Sequence, residues 1–125
     1  MTEIVVEEDC GNAPRKEWLR DFNVAFIEGD VERTLGFVTE DVTWKLVGEG
    51  TIRGRVGMRA WLESMAGKSA RKVVLRNIIT HGATAAINGS YEMESGSKFE
   101  FCDVYEFTGT SATKPIRHTS YVIRV

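Results

Sequence analysis

The sequence predicts an α+β domain, with three helices first and a mainly antiparallel sheet after them. Three observations carry that expectation. Apolar residues recur at helical spacing through the first half of the chain, and at a period of two after Ala70. Turn signals at His81-Gly82, at Ser95-Gly96-Ser97 and in a loop with Gly109 and Pro115 cut the second half into strand-length runs. A length of 125 residues is one domain's worth, enough to bury a core of its own, so residues 1–125 are read as a single domain.

The first helix should begin near Pro14, whose missing N–H is no loss in a first turn. Trp18, Phe22, Ala25 and Phe26 then share a face with Leu19, and Gly29 ends the run. Asp30 is the expected cap of a short second helix marked by Val31, Leu35 and Val38. Val42, Trp44 and Leu46 alternate as a strand, Gly48-Glu49-Gly50 turns, and Thr51 to Arg53 return. Gly54 and Gly57 break the pattern before a third helix with Met58, Trp61, Leu62 and Met65 on one face. Residues 1–12, with only Ile4-Val5-Val6 apolar among acids, are expected to be a flexible tail.

Charge and composition exclude several classes. A net charge of −2 offers no field to hold nucleic acid, and the clusters Arg53/Arg55/Arg59 and Lys68/Arg71/Lys72 read as solvated faces. No apolar run is long enough for a membrane span, and the N-terminal run lacks the form of a secretory signal. A cytoplasmic location is therefore expected, with Cys10 and Cys102 as free thiols. No metal and no cofactor are expected, because the two histidines lack ligand spacing and Cys102 points away from Asp103.

One strand carries the chemistry. Phe99, Phe101, Asp103, Tyr105 and Phe107 occupy its odd positions, so Asp103 shares a face with four aromatic rings. A carboxyl group in such a place costs free energy unless it is paired or protonated. Two roles are open to it: a structural tie to a backbone amide or a tyrosine hydroxyl, or an acid in a pocket. On the last strand Ile116, His118, Ser120 and Val122 share one face. Antiparallel pairing with the aromatic strand would bring His118 to Asp103, and a histidine–carboxylate pair is a standard acid/base device. Asn88 is kept as a possible polar group of the same pocket.

The order of elements resembles the nuclear transport factor 2 superfamily, and within it the SnoaL-like and ketosteroid isomerase-like members. The matching stretches are Phe26-Ile27-Glu28-Gly29-Asp30, then Phe37 to Trp44, then Ile52-Arg53-Gly54 before the third helix. Phe101-Cys102-Asp103-Val104-Tyr105-Glu106-Phe107 and Ser120-Tyr121-Val122-Ile123 resemble the final two strands. The resemblance implies a strongly curved sheet forming a cone with an internal pocket, and a homodimer. It also places Asp103 where ketosteroid isomerases carry a hydrogen-bonding aspartic acid, a carboxylic acid held neutral in an apolar site.

The same resemblance removes some activities. Phe22 stands where the isomerase tyrosine would be, and Lys45 or Leu46 where its base would be. The arginine and paired aspartates of limonene epoxide hydrolases are not assembled, and Ser120 takes one aspartate's place. SnoaL-like cyclases depart least. The expected function is a pocket protein doing acid/base chemistry on a small apolar carbonyl compound, as an isomerase, cyclase or dehydratase. Asp103 and His118 would be catalytic, and Phe22, Trp44, Trp61, Asn88, Phe101, Tyr105 and Ser120 would meet the ligand. The alternative is a non-catalytic ligand-binding or dimerisation module of the same fold.

Overall fold

The computed structural model describes residues 2–125. Helices α1 (Pro14–Ile27), α2 (Val31–Gly36) and α3 (Gly54–Ser64) pack on one sheet of seven strands. The strands are β1 (Glu3–Val6), β2 (Thr43–Leu46), β3 (Gly50–Arg53), β4 (Ala70–His81), β5 (Thr84–Met93), β6 (Lys98–Phe107) and β7 (Pro115–Arg124). Their order across the sheet is β1-β4-β5-β6-β7-β2-β3. The sheet is mostly antiparallel, curled and unclosed, which makes the α+β cone expected from the sequence.

Local signals set the helix ends. Pro14 opens α1, and Asp30 caps α2 by accepting the Arg33 N–H at 3.1 Å. Helix α3 starts earlier than expected, at Gly54. That glycine has φ +69°, and a Cβ on it would stand 3.3 Å from the Glu40 carbonyl, so it turns the chain rather than merely breaking it.

Residues 3–6 are not a free tail. They form β1, parallel to β4, with Ile4 opposite Val73 and Val6 opposite Leu75. The reason is long-range: a strand of four residues finds its hydrogen bonds on the open edge of β4, far away in sequence. Glu3 and Glu7 stay exposed beside that edge, where they discourage further strand pairing, while Glu8 turns in to accept the Ile78 N–H at 3.2 Å.

The core lies between the helices and the inner sheet face. Leu19 and Phe22 of α1 and Met58 of α3 share one core cluster with Leu75, Ile87 and Tyr105. The β4–β5 register slips between Ala70 and Lys72 and again between Leu75 and Asn77, the second beside Gly89, and bulges of this kind bend a strand. Among the described residues no helix is long and apolar enough to cross a membrane.

Candidate functional site

Register decides which side chains share the inner face. Asp103 pairs with Ser120 and with Ile87, while Tyr105 pairs with His118 and Ala85. Strand β2 then runs parallel to β7, setting Trp44 beside His118 and Leu46 beside Ser120. The alternation read from β6 and β7 thus brings Asp103, His118 and Ser120 together.

His118 is 2% exposed, with its ring between two others. Trp44 stacks on one face at 4.4 Å between centroids and Tyr105 on the other at 4.2 Å. Its Nε2 lies 3.8 Å from Asp103 Oδ2, close enough for charge to be felt and too long for a hydrogen bond. The same nitrogen lies 3.3 Å from Ser120 Oγ, which accepts the Trp44 indole N–H at 2.7 Å. A nucleophilic serine triad needs the two ring nitrogens to face serine and carboxylate separately. Here both partners face Nε2, so the arrangement is a polar cluster and not a triad.

Asp103 itself is only 9% exposed. Among the described residues no hydrogen-bond donor reaches its carboxyl group, so the tie to a backbone amide or tyrosine hydroxyl is absent. Its charge is nonetheless felt around it. Burial first, and Asp103 second, push the Tyr105 hydroxyl well above the ordinary tyrosine range, against a pull downward from the Asn23 amide at 3.3 Å. The same two causes raise Tyr91 and the Cys102 thiol.

These shifts have one sign. The unfolded chain releases a tyrosine proton near pH 10 while the folded chain still holds it, so stability is whole below that pH and falls above it. The stability of the native protein measured by urea unfolding should fall above about pH 10, by up to about 1.4 kcal/mol per pH unit for each such tyrosine. Tyr105→Phe should flatten that decline; an unchanged slope would mean that burial of Tyr105 is not its source.

A cleft of about 390 Å3 opens at the end of the cone where β5 finishes and β6 begins. Strand β7 gives its floor, with Ser120 deepest and Val122 and Arg124 toward the rim. Tyr91 and Phe99, stacked at 4.9 Å, form one wall. Leu46, Val47 and the Gly48-Glu49 turn form the other. Ser120 is the one expected ligand residue among those lining it.

The remaining expected ligand residues stand elsewhere. Phe22, Trp44 and Tyr105 are buried core side chains, and Trp61 and Phe101 are packed against that core. The rings fill the space the pocket was expected to occupy: Trp44 meets Trp61 at 4.9 Å and Phe22 meets Tyr105 at 5.9 Å. Asn88 lies on the outer face beside Cys102, where its side chain accepts from Asn77 at 2.9 Å. Val122 was placed on this face without being named a ligand residue, and Tyr91 and Arg124 were missed, although a period of two from Ile87 and from Ser120 leads to both. Among the described residues no three His, Cys, Asp or Glu side chains converge as metal ligands.

With this geometry in place, comparison with known proteins identifies the domain. Residues 19–113 match the family model of the SnoaL-like domain. The chain belongs to the SnoaL-like family. No curated protein sequence matches it. Solved structures similar to this SnoaL-like domain include an NTF-2 like protein of unknown function from Burkholderia xenovorans LB400. The two are 20% identical, the match covers 91% of this chain and 86% of that one, and the TM-score is 0.75. A proposed ketosteroid isomerase from Kribbella flavida DSM 17836 is 13% identical over 90% of this chain and 79% of that one, with a TM-score of 0.74. An LEH-like epoxide hydrolase from M. tuberculosis is 18% identical over 88% and 83%, with a TM-score of 0.71. At these identities the likeness is one of fold, and unrelated functions share folds.

The SnoaL-like domain has a second cleft, of about 400 Å3, at the opposite end of its strands. Arg15 crosses it, over the Phe107 ring at 3.9 Å, and donates to the carbonyls of Gly82, Gly109, Thr110 and Ala112. Its donors are committed to the backbone, so this arginine straps a loop in place. Trp18 lines the same cleft, and its indole N–H is buried with no acceptor among the described residues.

Proposed function

We propose that this SnoaL-like domain binds a small apolar carbonyl compound in the cleft above Ser120 and exchanges a proton beside its carbonyl group. Isomerisation, cyclisation and dehydration all use that step. The observation that carries the reading is a nearly buried carboxyl group, Asp103, with no hydrogen-bond donor among the described residues, next to a buried histidine. Asp103 does not line the cleft itself but pairs with Ser120 across β6 and β7, and from behind that floor it takes or gives the proton. His118, covered on both ring faces, is its partner and reaches a ligand only through its neighbours.

Ser120 is the group that meets the carbonyl oxygen. Its oxygen accepts from Trp44, and from His118 when Nε2 carries the ring proton, which leaves its own hydrogen for the cleft. A donor aimed where negative charge develops is the usual means of stabilising an enolate. The cytoplasm, where both free cysteines stay reduced, is the matching location.

The test is deuterium uptake from D2O at the carbon beside the ketone in aryl ketone probes, followed by NMR. The native protein should accelerate uptake, and Asp103→Asn should lower the rate at least about 100-fold while keeping the native melting profile. Equal rates in the two proteins would remove Asp103 from the chemistry.

A second reading, a module that assembles through its sheet, is favoured by the outer face. Tyr121 and Ile123 of β7 are 47% and 67% exposed there, and Ile79 of β4 is 61% exposed. A second copy of the chain would cover them, and a homodimer is compatible with either reading. Sedimentation equilibrium should return the dimer mass for the native protein and the monomer mass for Ile123→Asp. A native monomer would dispose of the assembly reading.

A further inference from the structure

We infer that the ligand of this cleft is a carboxylate, held by Arg124 at the rim while its carbonyl group meets Ser120 at the floor. The inference rests on the reading of the cleft as the ligand site, and it names the class of compound that enters it.

Arginine usage points there. Arg20, Arg33, Arg59, Arg71, Arg76 and Arg117 each have a carboxylate within 4.0 Å. Arg15 and Arg55 are bound to backbone carbonyls. Among the described residues only Arg53 and Arg124 have neither, and of these two only Arg124 lines a cleft. Among the described residues its side chain makes one hydrogen bond, a long one of 3.4 Å to Ser97 Oγ. The planar fork of donors is thus uncommitted, and that fork matches a carboxylate in a way an ammonium does not.

Position makes the arginine part of the same site. Arg124, Val122 and Ser120 alternate onto one face of β7, so Arg124 lies four residues from Ser120, about 13 Å along the strand. Between them run the aromatic wall of Tyr91 and Phe99 and the apolar side chain of Val122. A compound with a carbonyl at one end, an apolar body and a carboxylate at the other spans that path. A cavity of about 390 Å3 is at the small end of the range for ligand sites.

Glu49 is the other charge at the rim, and it opposes an anion. Its charge is felt at Tyr91, whose hydroxyl it helps to raise. It has no cation within 4.0 Å among the described residues. The two rim charges therefore have opposite expected effects on a carboxylate and none on a neutral ester of the same shape.

Calorimetric titration with 6-oxo-6-phenylhexanoate, its shorter and longer homologues, and their methyl esters tests this. The native protein should bind the acids about tenfold more tightly than the esters, and added NaCl should erode that preference. Arg124→Gln should weaken the acids about tenfold and leave the esters unchanged, whereas Glu49→Gln should tighten the acids alone. Ser120→Ala should weaken acids and esters alike, preserving their ratio. Equal binding of acid and ester with the Ser120 dependence retained would overturn the carboxylate and leave the cleft as the ligand site. No binding across the series, or binding indifferent to Ser120→Ala and Arg124→Gln together, would overturn both.

Discussion

Gly89→Ala should cost about 3 kcal/mol or more, a fall in melting temperature of roughly 10 °C or beyond. Gly89 sits in β5 opposite the bulge of β4, where the two backbones approach closely. A Cβ there would overlap the Val74 carbonyl oxygen and stand 3.2 Å from Phe101 Cε1. Side chains can rotate away from a methyl group; a carbonyl inside a sheet cannot move without breaking its ladder. Gly36→Ala is the control, since a Cβ at Gly36 meets nothing within 4 Å and helps its helix. Thermal melts of the two variants should differ in sign. A Gly89→Ala protein as stable as the native one would mean that the bulge relaxes freely, and that the curvature of the sheet is not fixed there.

Trp44→Ala should also be severe, about 3–5 kcal/mol, because a large buried ring leaves a cavity its neighbours cannot close. Trp44 stacks on His118 and meets Trp61 at 4.9 Å and Phe26 at 5.7 Å. Trp44→Phe separates packing from polarity. It keeps a ring against His118 and removes the N–H that holds Ser120 Oγ at 2.7 Å. The phenylalanine variant should lose about 1–2 kcal/mol and slow deuterium uptake, because the Ser120 hydroxyl is then free to rotate out of line. Uptake at the native rate would show that the indole does not orient Ser120.

The sequence was readable where one residue's chemistry acts locally. Pro14, Gly29 and Asp30 marked helix ends by their own backbone and side-chain preferences, and the structure agrees with each. The face of β6 was readable because alternation over ten residues leaves no second register. Strand β1 was not, since nothing in four residues reveals a partner as distant as Val73. Asn88 was misplaced although Ile87 and Gly89 on either side define the opposite face. The fate of Trp44 and Tyr105 was hidden for another reason. Period shows that a ring points inward, but whether inward means cavity wall or solid core depends on how many rings converge. Here Trp18, Phe22, Trp44, Tyr105 and His118 fill the middle together.

The order of strands has a consequence for how the chain is made. Synthesis delivers α1 before all but one strand, with Trp18, Phe22 and Phe26 on its apolar stripe, yet Trp18 rests on Tyr105 and Phe22 on His118, far along the chain. Strand β1 waits for β4, and β2 waits for β7. Strands β2 and β3 pair as a short hairpin and β4 to β7 as a meander, so these two pieces can assemble from nearby contacts, and the meander is by far the larger. The emerging first half therefore carries uncovered aromatic surface until the meander has been made, and productive folding is driven from the strands β4 to β7.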